Sequence, residues 1–244
     1  MTLLRVENVA KAFHGVHAVD GVSLTVGQGR IQGIIGPNGA GKTTLFNLVA
    51  GVLKPDSGRV LFDDMDLTGA PPHKIARAGI ARTFQLTRPF ASMSVRDNVI
   101  TAALGHTRSR KQAQQAADAV IERVGLQRWR DNVSGDLPTA ALKRVELARA
   151  LAIRPRVLLL DEVLAGLVPA ERQPVVDMLA TLRDEDGLTM VFVEHIMAAV
   201  MRLSDSVLVL DQGKVIADGT PQEVTSDPRV IEAYLGEEPT IADA

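Results

Sequence analysis

Residues 1–30 alternate in short apolar bursts: "LLRVENVAKAF" and "GVSLTVGQG" are divided by glycines and polar pairs, the pattern of strands in an antiparallel sheet. The next line changes character. Ile31 to Ile35 is a continuous apolar run suited to a buried strand, Gly36 to Gly41 a tight loop, and Lys42 to Val52 a helix that stops before Pro55, Ser57 and Gly58. "RVLFDD" is a further short strand. From about Ala91 to Leu151 the texture is mostly helical, with Ala113, Ala116, Ala117, Val120, Ile121 and Val124 spaced along one helix face. "RVLLLD" and "TMVFVEH" then supply two buried strands around the helical segment "AERQPVVDMLATLRDE", and "SVLVLDQGKVIADG" closes in a hairpin at Gln212 and Gly213. The order predicts an α/β chain: a P-loop core with an antiparallel strand subdomain and an inserted helical subdomain. The divisions expected within one domain of 1–244 are a first part of the core over 1–90, a helical block over 91–151, and a second part of the core with the tail over 152–244.

Composition narrows the function classes. The 244 residues are 46% hydrophobic and 23% charged, and 27 basic against 29 acidic residues leave a formal charge of −2. That balance gives no global basic surface for nucleic acid or an anionic membrane, so no nucleic-acid partner is expected. No cysteine is present, which removes disulfides and thiolate chemistry and fits a reducing compartment. No apolar run approaches the ~20 residues of a membrane-spanning helix, and the first residues lack a signal-peptide pattern. A cytosolic chain is expected, with any membrane association supplied by a partner.

The strongest motif is "GPNGAGKT" at Gly36 to Thr43. It consists of Gly36, Pro37, Asn38, Gly39, Ala40, Gly41, Lys42 and Thr43, with Thr44 following. Its glycines let successive backbone N–H groups turn inward around phosphate oxygens. Lys42 adds a mobile positive charge for the β- and γ-phosphates, and Thr43 offers a hydroxyl to Mg2+. This pattern between an apolar strand and a helix predicts a nucleoside triphosphate site. "RVLLLDE" puts Asp161 and Glu162 where a buried strand emerges, so that one carboxylate serves Mg2+ and the next faces an attacking water. His195 ends the "TMVFVEH" strand, at the strand-end edge where open α/β sheets bind ligands.

Taken in order, these motifs resemble the ATP-binding subunit of an ATP-binding cassette transporter over nearly the whole chain, and most closely the branch that powers uptake of branched-chain amino acids. The tail "GTPQEVTSDPRVIEAYLGEE" is similar to the ending of that branch. The resemblance implies that Phe13, in "AFHGVHAVDGVSL", stacks on adenine, and that Gly36 to Thr44 holds the phosphates of ATP. Gln85, in "ARTFQLTRPFASMSVRDNV", would touch Mg2+ and nucleotide and sense the membrane subunit. Asp161 matches the magnesium-site aspartate, Glu162 the glutamate that polarises water, and His195 the histidine at the γ-phosphate. The departures cluster. Where the family reads leucine, serine, a variable residue, glycine and glutamine, this chain has Leu137, Pro138, Thr139, Ala140 and Ala141. Pro138 removes a hydroxyl and a backbone N–H, and the methyl of Ala140 occupies space a glycine leaves open. Val163 replaces a proline after the acidic pair, and Val168 an asparagine after Gly166 and Leu167.

In the resembling family these altered elements face a second ATPase subunit and complete that subunit's site. The expected assembly is therefore a heterodimer with an intact ATP-binding partner, preferred over a homodimer. Transmembrane permease subunits would seat it on the cytoplasmic face of the membrane, and an external substrate-binding protein would take part indirectly; the isolated chain is expected to be soluble. Hydrolysis by the chain alone is expected to be weak. Three alternatives stand beside uptake of branched-chain amino acids: a nucleotide-gated structural subunit with little turnover, an ATPase for urea or another small amide, and a non-transport cassette ATPase.

Overall fold

Continuous and alternating apolar patterns produce two different kinds of strand. In the computed structural model, which describes residues 1–84, 89–107 and 109–235, the chain runs β1 (Thr2–Phe13), β2 (Val16–Gly27), β3 (Ile31–Ile35), α1 (Lys42–Val49), β4 (Ser57–Phe62), β5 (Met65–Asp66), α2 (Pro72–Ala78) and β6 (Ile80–Arg82). It continues through α3 (Val95–Leu104), α4 (Arg110–Arg123), α5 (Thr139–Ala152), β7 (Val157–Asp161), α6 (Pro169–Asp186), β8 (Thr189–Val193), α7 (Met197–Leu203), β9 (Ser206–Asp211), β10 (Lys214–Gly219), α8 (Pro221–Thr225) and α9 (Pro228–Leu235). Two compact units result: Met1–Ala70 with the chain from Val191 onward, and Pro71–Met190.

The first unit contains an antiparallel sheet in the order β2-β1-β4-β5. Its strands alternate as read from sequence, with Val22, Leu24 and Val26 buried and Ser23 and Thr25 exposed between them. Tight turns join them. His14 and Gly15 both take positive φ (48° and 85°), as a two-residue hairpin requires, and Asp63 and Asp64 do the same (51° and 62°) between β4 and β5. In the same unit β3 pairs parallel to β9, and β9 pairs antiparallel to β10. All five residues of β3 are buried, the signature of a strand covered on both faces. The β9–β10 hairpin turns at Gln212 and Gly213, both with positive φ, as the sequence predicts.

The second unit holds the parallel pair β6–β7 and the packed helices α3, α4 and α5. The helical block expected over 91–151 lies inside this unit but is interrupted. Between α4 and α5 the chain makes two 3-10 turns, Gln127–Trp129 and Ser134–Asp136. A buried asparagine fastens this interruption. Asn98 accepts from Phe90 N at 2.8 Å and donates to Phe90 O at 3.0 Å and to Ser134 Oγ at 2.9 Å. Backbone bonds Ser134 N to Met93 O and Gly135 N to Ala91 O extend the seam, so residues 90–94 are sewn to the segment that leads into α5. Among the described residues no helix is long and apolar enough to cross a membrane.

Candidate functional site

The phosphate loop of the first unit depends on glycine where the backbone leaves no alternative. Gly36 has φ 148°, and a Cβ there would meet the carbonyl oxygen of Leu210; at Gly41, φ 101°, it would meet that of Ala18. The loop is therefore pressed against β9 and β2, and only hydrogen fits at these two positions. Gly39, with φ 79°, has open space on its side-chain face. Ala40 O accepts from Gly213 N at 3.1 Å, and Gly213 O in turn accepts from Asp20 N at 2.8 Å. The β9–β10 turn thus braces the loop from below, a role its sequence does not announce.

Lys42 opens α1. It is 7% exposed, and its Nζ donates to the carbonyls of Gly36 (2.5 Å) and Pro37 (2.7 Å). The ammonium is thereby held on the loop's own carbonyls. Thr43 is exposed and Thr44 half-buried in the first turn of α1, which has no acidic residue and no side-chain cap. An uncapped helix N-terminus of this kind favours an anion. Phe13, at the end of β1, is 40% exposed, with Lys11 Nζ 5.7 Å from its ring centroid. An exposed aromatic face beside a cation suits stacking on a planar group. His195 is exposed beyond the end of β8.

The second unit carries the carboxylates. Asp161 ends β7 and is 2% exposed; its Oδ2 accepts from Arg82 Nη2 at 3.1 Å, its backbone N–H donates to Thr83 Oγ1 at 3.2 Å, and its Oδ1 is buried with no hydrogen-bond partner among the described residues. A buried carboxylate oxygen without a donor is costly unless a cation or water is its partner, so this residue fits a magnesium-site role. Burial pushes the Asp161 carboxyl above its ordinary pKa, with the neighbouring Arg82 charge opposing the shift and Glu162 adding to it. Burial in turn lowers the pKa of Arg82. Glu162 is half-buried with φ 49°, a left-handed backbone that a non-glycine residue adopts at a cost. Its carbonyl accepts from Lys143 Nζ at 3.1 Å and from Ala165 N at 3.2 Å.

Lys143 belongs to α5, whose entry is the altered segment. Pro138 is the N-cap of α5, at φ −65° and ψ 155°, with no side-chain cap, and its carbonyl accepts from Ala141 N and Leu142 N at 2.9 and 3.0 Å. As N-cap the proline precedes the first helical residue, where its missing N–H costs the helix no internal hydrogen bond. Pro138 and Thr139 are exposed, Ala140 half-buried and Ala141 buried. Gln85 lies outside the described residues. The sequence reading missed Arg82, Thr83, Lys143 and Gly213. Of these, only Arg82 has a local hint, a cation at the end of a short apolar strand three positions before Gln85.

Comparison with known proteins supplies the family. The family model described as ABC transporter matches residues 19–165, and that described as branched-chain amino acid ATP-binding cassette transporter matches residues 214–240. The high-affinity branched-chain amino acid transport ATP-binding protein BraF of Pseudomonas aeruginosa is 39% identical over 96% of this chain and 98% of its own length. LivG of Escherichia coli, of the same description, is 37% identical over the same shares. A crystal structure of a nucleotide-free ATP-binding cassette from an ABC transporter superposes with a TM-score of 0.89 at 33% identity, covering 97% of this chain and all of that one. A cassette in its ADP conformation gives 0.88 at 34%, with the same coverage. These likenesses establish the P-loop NTPase core with its antiparallel and helical subdomains. The chain belongs to the ABC transporter family, among the ATP-binding subunits of its branched-chain amino acid uptake branch.

Proposed function

We propose that this chain binds and hydrolyses Mg-ATP to energise uptake of branched-chain amino acids through a membrane permease. The observation that carries the reading is the phosphate loop, where the Gly36 and Gly41 backbones admit no side chain and the buried Lys42 ammonium is fixed on the loop's own carbonyls. Phe13 would stack on the adenine, Gly36 to Thr44 would cradle the phosphates, and Thr43, Gln85 and Asp161 would hold the metal. When bound, Mg2+ neutralises charge on the phosphate oxygens. Glu162 would polarise the attacking water and pass its proton on, while Lys42 and His195 hold the charge that develops on the γ-phosphoryl group.

The partners follow from the same reading: permease subunits at the cytoplasmic face of the membrane, a substrate-binding protein acting through them, and a second ATP-binding subunit. A heterodimer is preferred because Pro138 and Ala140 withdraw from this chain's signature segment a hydroxyl and a close-approach glycine, whereas every residue expected on the P-loop side is present. The same alteration favours a second reading, a nucleotide-gated subunit with little turnover. Calorimetric titration of Mg-ATP into the chain and its Lys42→Ala variant tests the premise of both. Binding that weakens at least tenfold in the variant supports them; no binding to the folded chain, or equal binding by the variant, removes them.

A further inference from the structure

Glu162 holds an uncommon backbone. Its φ of 49° lies in the left-handed region, which is unfavourable for a residue with a Cβ and persists only where the surroundings hold it. This residue directly follows Asp161 and is the one assigned above to the attacking water. Whatever fixes its backbone also fixes the direction in which its carboxylate leaves the chain.

Two of the holds are local. Val163, Leu164 and Leu167 are buried, and Ala165 N donates to the Glu162 carbonyl at 3.2 Å across the turn. A third comes from α5. Lys143 Nζ donates to the same carbonyl at 3.1 Å, from 19 positions earlier in the chain. The Ala165 bond already gives that carbonyl a partner, so the lysine is not required to offset its desolvation. It adds instead a second, charge-assisted bond from a different direction. Lys143 is half-buried on a well-packed stretch of helix, where Ala141, Val145, Leu147 and Ala148 are all buried. The ammonium is therefore carried on a fixed support.

We infer that Lys143 is a positioning residue for hydrolysis: by holding the Glu162 carbonyl from α5, it fixes the left-handed turn from which the Glu162 carboxylate projects. Without the ammonium, the backbone at residue 162 is freer to relax toward the ordinary right-handed region, and the carboxylate swings with it. The role requires no contact between Lys143 and nucleotide or metal. Affinity for ATP, set by the phosphate loop, should therefore remain while the rate falls. This inference rests on the hydrolytic reading above.

The complex with the ATP-binding partner subunit is assayed with the unaltered chain and with its Lys143→Met, Lys143→Ala and Lys143→Arg variants. Both neutral variants should lower kcat at least tenfold, the scale on which misplacing a reacting group is felt. The KM for ATP should change less than twofold, as when an interaction made only in the transition state is lost. Lys143→Arg keeps a cationic donor and should restore most of the lost rate. Hydrogen exchange on the chain alone, without nucleotide, gives a readout independent of turnover. The Ala165 amide should exchange at least tenfold faster in the neutral variants, while that of Val145, inside α5, should not change. An unchanged kcat, a loss carried by KM, a loss that Lys143→Arg does not recover, or unchanged exchange at Ala165 would overturn the proposal. Two neutral variants of different size keep the test decisive if one of them does not fold. The two failures are distinct: an unaltered complex that binds Mg-ATP without turnover ends the hydrolytic reading and this inference with it, whereas an active complex indifferent to Lys143→Met ends this inference alone.

Discussion

Arg82 donates to Asp161 across the β6–β7 pair at 3.1 Å, and the carboxylate oxygen that Arg82 leaves alone is buried with no hydrogen-bond partner among the described residues. One oxygen is therefore held in place and the other is presented. The cost of that presentation appears in the protonation equilibrium: burial raises the Asp161 pKa, and Arg82 restrains the rise. The folded chain consequently holds this proton more tightly than the unfolded chain does. Asp161 contributes its full stability below the ordinary carboxylate pKa of about 4 and loses it as pH climbs through the raised folded value. Urea midpoints measured across that window should fall with rising pH, and Asp161→Asn should lessen the slope. Arg82→Met removes the restraint, so the acid limb of Mg-dependent nucleotide binding should move to higher pH; an unmoved limb would show that Arg82 does not govern the carboxylate.

Gly36→Ala should be more damaging than its small size suggests. The added methyl would meet the Leu210 carbonyl oxygen, a backbone atom in a buried strand, at a φ of 148°. A loss of about 2–4 kcal/mol in stability is expected, together with loss of ATP binding. Gly39→Ala offers the internal control, because its side-chain face is open. It should cost only about 1 kcal/mol, from the left-handed backbone, and calorimetric unfolding of the two variants separates them.

Asn98→Ala tests the seam between residues 90–94 and the entry to α5. Removing the side chain leaves the Phe90 N–H without its acceptor and the Ser134 hydroxyl without the Asn98 donor, while the Phe90 carbonyl keeps the Met93 N–H. The loss should be about 1–3 kcal/mol, the scale of one stranded buried group, since of these partners only Ser134 is buried. Hydrogen exchange should quicken first at Ser134 and Gly135, whose amides bond to Met93 and Ala91. Unchanged exchange at those two amides would mean that the seam does not depend on Asn98.

Pro138→Ser should act twice. The position is an N-cap with ψ 155° and no side-chain acceptor for the first turn, so a serine hydroxyl should add about 0.5–2 kcal/mol of helix stabilisation. Combined with Ala140→Gly, it should also raise ATP turnover of a mixed complex by repairing the second site. A stability gain with no change in turnover would assign the segment to structure alone.

The parts of this fold legible in the sequence are those enforced locally. Five apolar residues in a row read as a buried strand because water is excluded from both faces of β3, and Gln212–Gly213 reads as a hairpin because few residue pairs tolerate two positive φ values. The phosphate loop is legible for the same reason, since Gly36 and Gly41 answer to steric limits within a few residues. What stayed hidden is paired over distance. Arg82 and Asp161 are 79 positions apart, and β6 is only three residues long, too short to show a period. Lys143 reads as a solvated helix residue until its Nζ is found on the Glu162 carbonyl. The interruption between α4 and α5 was masked by alanine-rich helices on both sides, although Gly125 and Gly135 mark it.

The central claim is that this chain carries a competent hydrolytic half-site and an impaired signature segment. Steady-state ATP turnover measures both halves: the chain alone, the chain with its ATP-binding partner subunit, and the mixed complex with the catalytic glutamate replaced by glutamine in one subunit at a time. Feeble turnover alone, restoration on mixing, near abolition by Glu162→Gln and a much smaller loss from the equivalent change in the partner are the results predicted. Full turnover by the chain alone, or equal losses from the two substitutions, would contradict it.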